Sequence, residues 1–274
     1  MAKTDFIELG EDGQRFPILY EDRSALAIDK ATGWMLVPSD WQNTTRNLQA
    51  AIESSVAAGD FWARSRGLRF LRYVHRLDAE TSGALLLAKN AGALDALSGL
   101  FETRSVVKEY LAVIHGEPQE ETWTCRFPLA PDPDRRGRVL RDDREGKDAE
   151  TRFRALLVQD APPLGLRTLV QAQPLTGRTH QIRVHLAECG HPVLGDPMYG
   201  EWRPLRGLPA AFPLGLRAVA LSYQDPFTGR AVRITAPEEG FRTAYGFGGP
   251  APSGAGTKAP ETGCGPKHPP ATRK

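Results

Sequence analysis

The chain has 274 residues, of which 41% are hydrophobic and 25% charged, with 35 basic residues against 33 acidic ones. These values exclude fibrous, collagen-like and wholly disordered proteins. No apolar run typical of a signal peptide or a membrane span occurs, so the sequence predicts a cytoplasmic protein without a membrane partner. Cys125, Cys189 and Cys264 lack Cys-x-x-Cys spacing, which argues against a disulfide framework and a cysteine metal site.

Composition divides the chain into three parts. We expect residues 1–15 to be an N-terminal extension, 16–247 to be one globular domain, and 248–274, rich in Gly and Pro, to be a disordered tail. The formal net charge is only +2. Bulk charge therefore favours no particular partner, and any site for a polyanion has to be a local cluster.

Periodicity predicts a mixed α/β (α+β) fold. Apolar residues at helical spacing predict helices over 45–58, which Gly59 ends, over 90–103, which Asn90 caps, and over 179–189. Short runs of β-branched, aromatic and leucine residues predict strands over 25–29, 70–75, 84–89, 106–115, 152–158, 166–173, 216–223 and 231–235. The segments 129–148 and 203–215 are predicted to be loops, because charge and proline interrupt them.

One predicted loop collects polar side chains. Residues 75–83 read HRLDAETSG and lie between two predicted strands, where a carboxylate, bases and hydroxyls share one turn. Asp78 is either a reactive carboxylate or the cap of a turn that accepts the amide of Thr81.

A second polar segment, 176–186, reads TGRTHQIRVHL and is followed by GHPVLGD. A metal site made of His180, His185 and His191 fits poorly, since positions 180 and 185 are about 140° apart on a helix. Arg183 lies on a flank of the predicted helix. It either reaches a carboxylate or is a surface arginine.

Tyr110 and a group of arginines are further candidates. Tyr110 shares a strand face with Ala112 and Ile114, which suits core packing or a stacking platform. Five arginines occur without an intervening acid and are interleaved with Phe70 and Tyr73, a pattern that suits phosphate binding, with a solvated edge or a set of surface ion pairs as the alternative. They are Arg64, Arg66, Arg69, Arg72 and Arg76.

In order and spacing, residues 75–83, Lys108-Glu109-Tyr110 and 176–186 resemble the RluA family of RNA pseudouridine synthases. The resemblance covers residues 16–240 and includes residues 18–22, Lys30, Gly33, 146–147, 151–153 and the closing strands. Two features depart from the family pattern. Ala31 replaces a common proline, and no small S4-type RNA-binding domain is expected before Phe16.

The resemblance implies a central, mainly antiparallel sheet with flanking helices and a cleft across its middle. It implies that uridine in structured ribosomal or transfer RNA is flipped out and isomerised to pseudouridine. The implied partner is RNA, with no obligate protein partner, and the chain is expected to be a monomer. The residues carried over are Asp78 as the catalytic aspartate, Tyr110 as the stacking ring, Arg183 as the partner of Asp78, Arg76 as the residue filling the vacated space, and Arg69, Arg72 and Arg178 as RNA contacts.

The implied reaction needs neither a metal nor an organic cofactor, because it changes no oxidation state and transfers no external group. Asp78 attacks C1′ or removes a proton from C2′, and the sequence leaves both routes open.

The sequence offers two alternative functions. A protein kinase is suggested by HRLD but lacks Asp-Phe-Gly, a glycine-rich phosphate loop and an asparagine five residues beyond Asp78. A non-catalytic RNA-binding module would not need the carboxylate.

Overall fold

The structure is a computed structural model that describes residues 3–10, 12–36, 46–200 and 213–248. Most of the segment 203–215, which is predicted to be a loop, lies outside the described residues. The predicted tail does too, apart from Gly248.

The strands and helices are numbered in chain order. The strands are β1 (Phe6–Leu9), β2 (Gln14–Glu21), β3 (Ala25–Lys30), β4 (Arg72–Tyr73), β5 (Ser82–Ala88), β6 (Val107–His115), β7 (Thr122–Cys125), β8 (Leu129–Pro131), β9 (Val139–Arg141), β10 (Thr151–Ala161), β11 (Gly165–Pro174), β12 (Leu216–Gln224) and β13 (Ala231–Thr235). The helices are α1 (Leu48–Ala58), α2 (Phe61–Arg64), α3 (Ala91–Glu102), α4 (Gln181–Glu188) and α5 (Glu239–Ala244).

The chain forms two compact units. The first unit comprises residues 1–108 and 217–237. Its strands follow the order β1-β2-β3-β5-β12, with β4 beside β5 and β13 beside β12. The β5–β12 pair is parallel and the other pairs are antiparallel. Alanine and leucine side chains of β3 and β5 form a buried core with Ala93 and Leu97 of α3.

The second unit comprises residues 109–216 and 238–274. Its strands follow the antiparallel order β6-β11-β10-β7, and β8 and β9 form a separate antiparallel pair. The expected single domain over 16–247 stays a prediction.

Local chemistry explains the two best-predicted helices. The Asn90 side chain accepts the amide of Ala93 at the start of α3 (2.8 Å). At the end of α1, Gly59 adopts a left-handed conformation with φ of 70°. The N-cap of α1 is Asn47 rather than a threonine.

Three predicted elements need correction. The strand predicted over 70–75 shrinks to β4, because only Arg72 and Tyr73 pair with β5. The helix predicted over 179–189 begins only at Gln181, since His180 has a φ of 53°. The segment 129–148 is not entirely loop, because β8 and β9 pair within it and Leu129 and Val139 are buried against Val184.

No helix in the described part of the chain combines the length and the apolar character needed to cross a membrane. In the same part of the chain, His, Cys, Asp and Glu side chains nowhere gather in a group of three or more that could hold a metal ion.

Candidate active site

Asp78 lies in the turn that connects β4 to β5 in the first unit. The turn is anchored on both sides, because Leu77 is buried at 6% exposure and Thr81 at 2%. The amide of Thr81 donates to the main-chain carbonyl of Asp78 (3.1 Å). The backbone therefore closes this turn.

Lys30 is completely buried at the end of β3, and its side chain binds the backbone of this turn. Its ammonium donates to the carbonyls of Ala31 (3.1 Å), Ala79 (3.0 Å) and Thr81 (2.8 Å). Burial lowers the pKa of Lys30 to about 8, and the nearby carboxylate of Asp78 acts in the opposite direction. The Lys30 side chain thus fixes the backbone on the C-terminal side of Asp78.

The residues that follow Lys30 hold the same turn. The amide of Gly33 donates to the carbonyl of Ala79 (2.8 Å), and the Thr32 hydroxyl donates to the carbonyl of Glu80 (2.8 Å). Because successive carbonyls are held in this way, the position of the Asp78 backbone is set before any substrate binds.

Gly83, at the end of the polar loop, has no room for a side chain. Its φ is +111°, and a Cβ would lie 2.0 Å from the carbonyl oxygen of Ala218 on the paired strand. We expect Gly83→Ala to lower the free energy of unfolding by about 4 kcal/mol or more, since backbone strain and overpacking combine. Urea unfolding measures this loss. Gly99→Ala is the control, because Gly99 lies inside α3 with open space around it and should gain about 0.5–1 kcal/mol.

His75, the first residue of the motif, is held by packing. Its Nε2 accepts the amide of Leu86 (3.1 Å), and its ring stacks on Phe101 with 4.6 Å between ring centroids. Burial, followed by the nearby charge of Lys108, lowers the pKa of His75 to about 3. The imidazole is therefore neutral near pH 7 and stabilises the loop rather than transferring protons.

The five arginines around the start of the motif differ in burial and in their partners. The guanidinium of Arg66 is buried and pairs with Glu21 (3.0 Å), so the expectation that all five arginines form one phosphate-binding stripe is wrong for this residue. Arg72 forms an exposed pair with Glu53 (3.2 Å). The side chains of Arg69 and Arg76 are exposed, as RNA contacts would require.

In the second unit, Tyr110 lies in β6 opposite Ala172 of β11 and is 8% exposed. Its predicted face-mates Ala112 and Ile114 are fully buried. The structure thus confirms the predicted strand, whereas the stacking role of Tyr110 stays a prediction.

Gln181 organises the polar segment at the start of α4, a role that the sequence analysis missed. Its Oε1 accepts the hydroxyl of Thr176 (2.6 Å) and the amide of Arg178 (3.0 Å). Its Nε2 donates to the carbonyl of Glu150 (2.9 Å) and to the hydroxyl of Thr151 (2.9 Å). The sequence shows only a glutamine inside the polar motif, and its burial at 4% exposure becomes visible in the structure.

Arg183 is not a surface residue, because its side chain is only 1% exposed. Its Nε donates to Oδ2 of Asp196 and its Nη2 donates to Oδ1, both at 2.8 Å. The side chain of Asp196 is fully buried. This carboxylate partner was not identified from the sequence, and the pairing of Arg183 with Asp78 stays a prediction.

The three histidines of this region bind protein atoms. His185 contacts the Thr151 hydroxyl (2.9 Å) and the Phe127 carbonyl (3.0 Å). His180 bonds to the Tyr199 hydroxyl (2.8 Å), and His191 bonds to a backbone carbonyl.

The burial of His185 predicts a loss of stability in acid. Burial lowers the pKa of His185 from 6.5 to about 4, so the unfolded chain binds a proton more readily than the folded one. The contribution of His185 to stability is then complete above pH 6.5 and falls by about 1.4 kcal/mol per pH unit towards pH 4, in addition to that of the buried His75. Urea unfolding at pH 7.5, 6 and 5 measures this slope. His185→Gln removes this contribution, and an unchanged slope in that variant would contradict the assignment.

Comparison with known proteins identifies the family. Residues 29–188 match the family described as RNA pseudouridylate synthase. The ribosomal large subunit pseudouridine synthase C of Escherichia coli strain K12 is 37% identical in an alignment of 231 residues, with 82% of this chain and 67% of that protein covered. The protein of the same name from Pasteurella multocida strain Pm70 is 40% identical over 175 residues, 62% of this chain and 51% of that protein.

Two solved structures of human proteins resemble this chain. Human RNA pseudouridylate synthase domain containing 1 has a TM-score of 0.66 and 28% identity, with 84% of this chain and 86% of that chain covered. Human RNA pseudouridylate synthase domain containing 4 has a TM-score of 0.60 and 24% identity, with 80% of this chain and 87% of that chain covered. This likeness supports the fold. The chain belongs to the RNA pseudouridine synthase family, whose members are isomerases. The predicted family and fold class are confirmed.

Proposed function

We propose that this protein converts uridine in large-subunit ribosomal RNA to pseudouridine. The observation that carries the proposal is that the family-matched residues 29–188 include Asp78, Tyr110 and Arg183. The choice of ribosomal RNA is supported by the names of the bacterial relatives. The chain spans about two thirds or less of the length of these relatives.

The reaction assigns a task to Asp78. The bond from uracil N1 to ribose C1′ breaks, and a bond from C5 to C1′ forms. C5 loses its proton to solvent and N1 gains one, so the isomerisation is balanced. Asp78 either bonds to C1′ or removes the C2′ proton and returns it. In both routes the carboxylate acts ionised, which a guanidinium partner such as Arg183 favours.

The nucleotide must leave its stack before it reacts. Unstacking costs a few kcal/mol, and the exposed Arg76 side chain would offset part of this cost by filling the vacated space. The ring of Tyr110 would stack on the uracil and hold it while it rotates.

Arg69, Arg72 and Arg178 are proposed to contact the RNA backbone. A backbone contact holds the Arg178 side chain, because its Nε donates to the carbonyl of Asp148 (3.0 Å). Phosphate contacts position the RNA without reading its sequence, so their loss should weaken binding equally for different RNAs. We further propose that the protein acts in the cytoplasm as a monomer.

Mapping pseudouridines in total RNA tests this function. We expect a strain that lacks the protein to lose pseudouridine at one or a few positions of large-subunit ribosomal RNA, and the restored gene to recover them. Loss at transfer RNA positions instead would overturn the choice of ribosomal RNA. A strain with no lost position would contradict the proposed function.

A further inference from the structure

The guanidinium of Arg183 is held along one edge by a carboxylate of its own unit. Asp196 accepts from Nε and Nη2, each at 2.8 Å, which is the fork-on-fork geometry of a strong charge-assisted pair. Oδ1 of Asp196 also accepts the amides of Met198 (2.9 Å) and Tyr199 (3.2 Å). The carboxylate is therefore fixed by the turn that follows it.

An aromatic ring lies against the same guanidinium. The Cζ atom of Arg183 is 5.2 Å from the centroid of the Tyr199 ring. The Tyr199 hydroxyl accepts the amide of Val139 (2.9 Å) and shares a hydrogen bond with Nδ1 of His180 (2.8 Å). Because β9 and the start of α4 hold that hydroxyl, the ring is fixed too.

These contacts define the orientation of a flexible side chain. An arginine has about 2 kcal/mol of rotamer entropy, and a guanidinium can bind a carboxylate along more than one edge. Asp196 binds the Nε–Nη2 edge, which directs Nη1 away from Asp196. A buried ion pair contributes little net stability compared with apolar residues of similar volume. What the Arg183–Asp196 pair fixes is the orientation of the guanidinium.

We propose that Asp196 and Tyr199 are positioning residues, which hold Arg183 in the one orientation that pairs with the catalytic carboxylate during uridine isomerisation. This inference rests on the proposed function. Neither residue needs to touch the RNA, since both act through the guanidinium.

The test uses the full chain and unmodified large-subunit ribosomal RNA transcribed with uridine that carries tritium at C5. Tritium is released when the C5 proton leaves. We expect Asp196→Asn to lower the single-turnover rate about 10–100-fold, as substitutions behind a functional group do, and to change RNA affinity less than about threefold. Rates are expressed per folded molecule, measured by near-UV circular dichroism.

A double-variant cycle separates positioning from a general structural role. Arg183→Lys keeps the charge but loses the fork, so adding Asp196→Asn to it should lower the rate less than about threefold further. The same 10–100-fold loss in both backgrounds would overturn the proposal, because Asp196 would then act elsewhere. Glu21→Gln is the matched control, since it removes the carboxylate partner of the buried Arg66 and should lower stability without changing the rate of folded protein.

Tyr199→Leu tests the proposal if Asp196→Asn does not fold. It removes the ring from the guanidinium, and we expect a rate loss of about tenfold or more with RNA affinity retained. A wild-type rate in this variant would overturn the proposal. A wild-type chain that releases no tritium would instead contradict the proposed function itself.

Discussion

Replacing Asp78 with asparagine should abolish pseudouridine formation, with a rate loss of about a thousandfold or more. The amide has the size and shape of the carboxylate, but it cannot bond to C1′ or accept the C2′ proton. The arginines that are proposed to bind the RNA do not need this carboxylate, so affinity should stay within several-fold of wild type. Tritium release and filter binding with the same RNA measure the two quantities.

Glu80→Gln is the matched control for this experiment. Glu80 lies two residues away in the same turn, and its main-chain carbonyl accepts the Thr32 hydroxyl (2.8 Å) whatever its side chain is. We expect near wild-type activity from it. An active Asp78→Asn variant would refute the catalytic assignment, and it would favour a protein that only binds RNA.

Arg183→Met should cost both activity and stability. Removing the guanidinium leaves the carboxylate of Asp196, which is 0% exposed, without its bidentate partner. Breaking a buried ion pair in this way typically costs about 3–5 kcal/mol. Catalysis should also fail, because the proposed partner of Asp78 is lost. Urea unfolding and tritium release measure these effects independently.

The double variant Arg183→Met with Asp196→Asn separates the two losses, because the asparagine Oδ1 can still accept the amides of Met198 and Tyr199. Removing both charges should recover most of the lost stability, since no unpaired charge is then left buried. Activity should not return. A double variant as unstable as Arg183→Met would show that the unpaired carboxylate is not the source of the instability, and an active one would exclude a catalytic role for Arg183.

Local signals in the sequence predicted the elements that local chemistry determines. The cap at Asn90 and the left-handed stop at Gly59 defined the ends of two helices because each acts within a few residues of its own position. Short strands such as β1 and β8 were missed. They have too few residues for a period-2 pattern to be distinguished from a loop.

Charge pairing was the part that the sequence could not predict. Arg66 lies within residues 61–77, a stretch without acids, and its partner Glu21 comes from β2. Arg183 looked like a flank residue of a helix, yet Asp196, in a turn beyond that helix, buries it. Such pairs depend on the tertiary fold, which brings together residues whose separation along the chain follows no period.

The environment of Lys30 makes this amine a natural reporter of motion in the loop. Burial lowers the pKa of this amine to about 8, and its side chain has no exposed surface, so an acylating reagent reaches it only when the turn opens. The rate at which Lys30 is labelled is therefore limited by how often the turn at Asp78 lifts away from it. Comparing that rate with and without bound RNA would reveal whether the substrate clamps the loop or finds it already rigid.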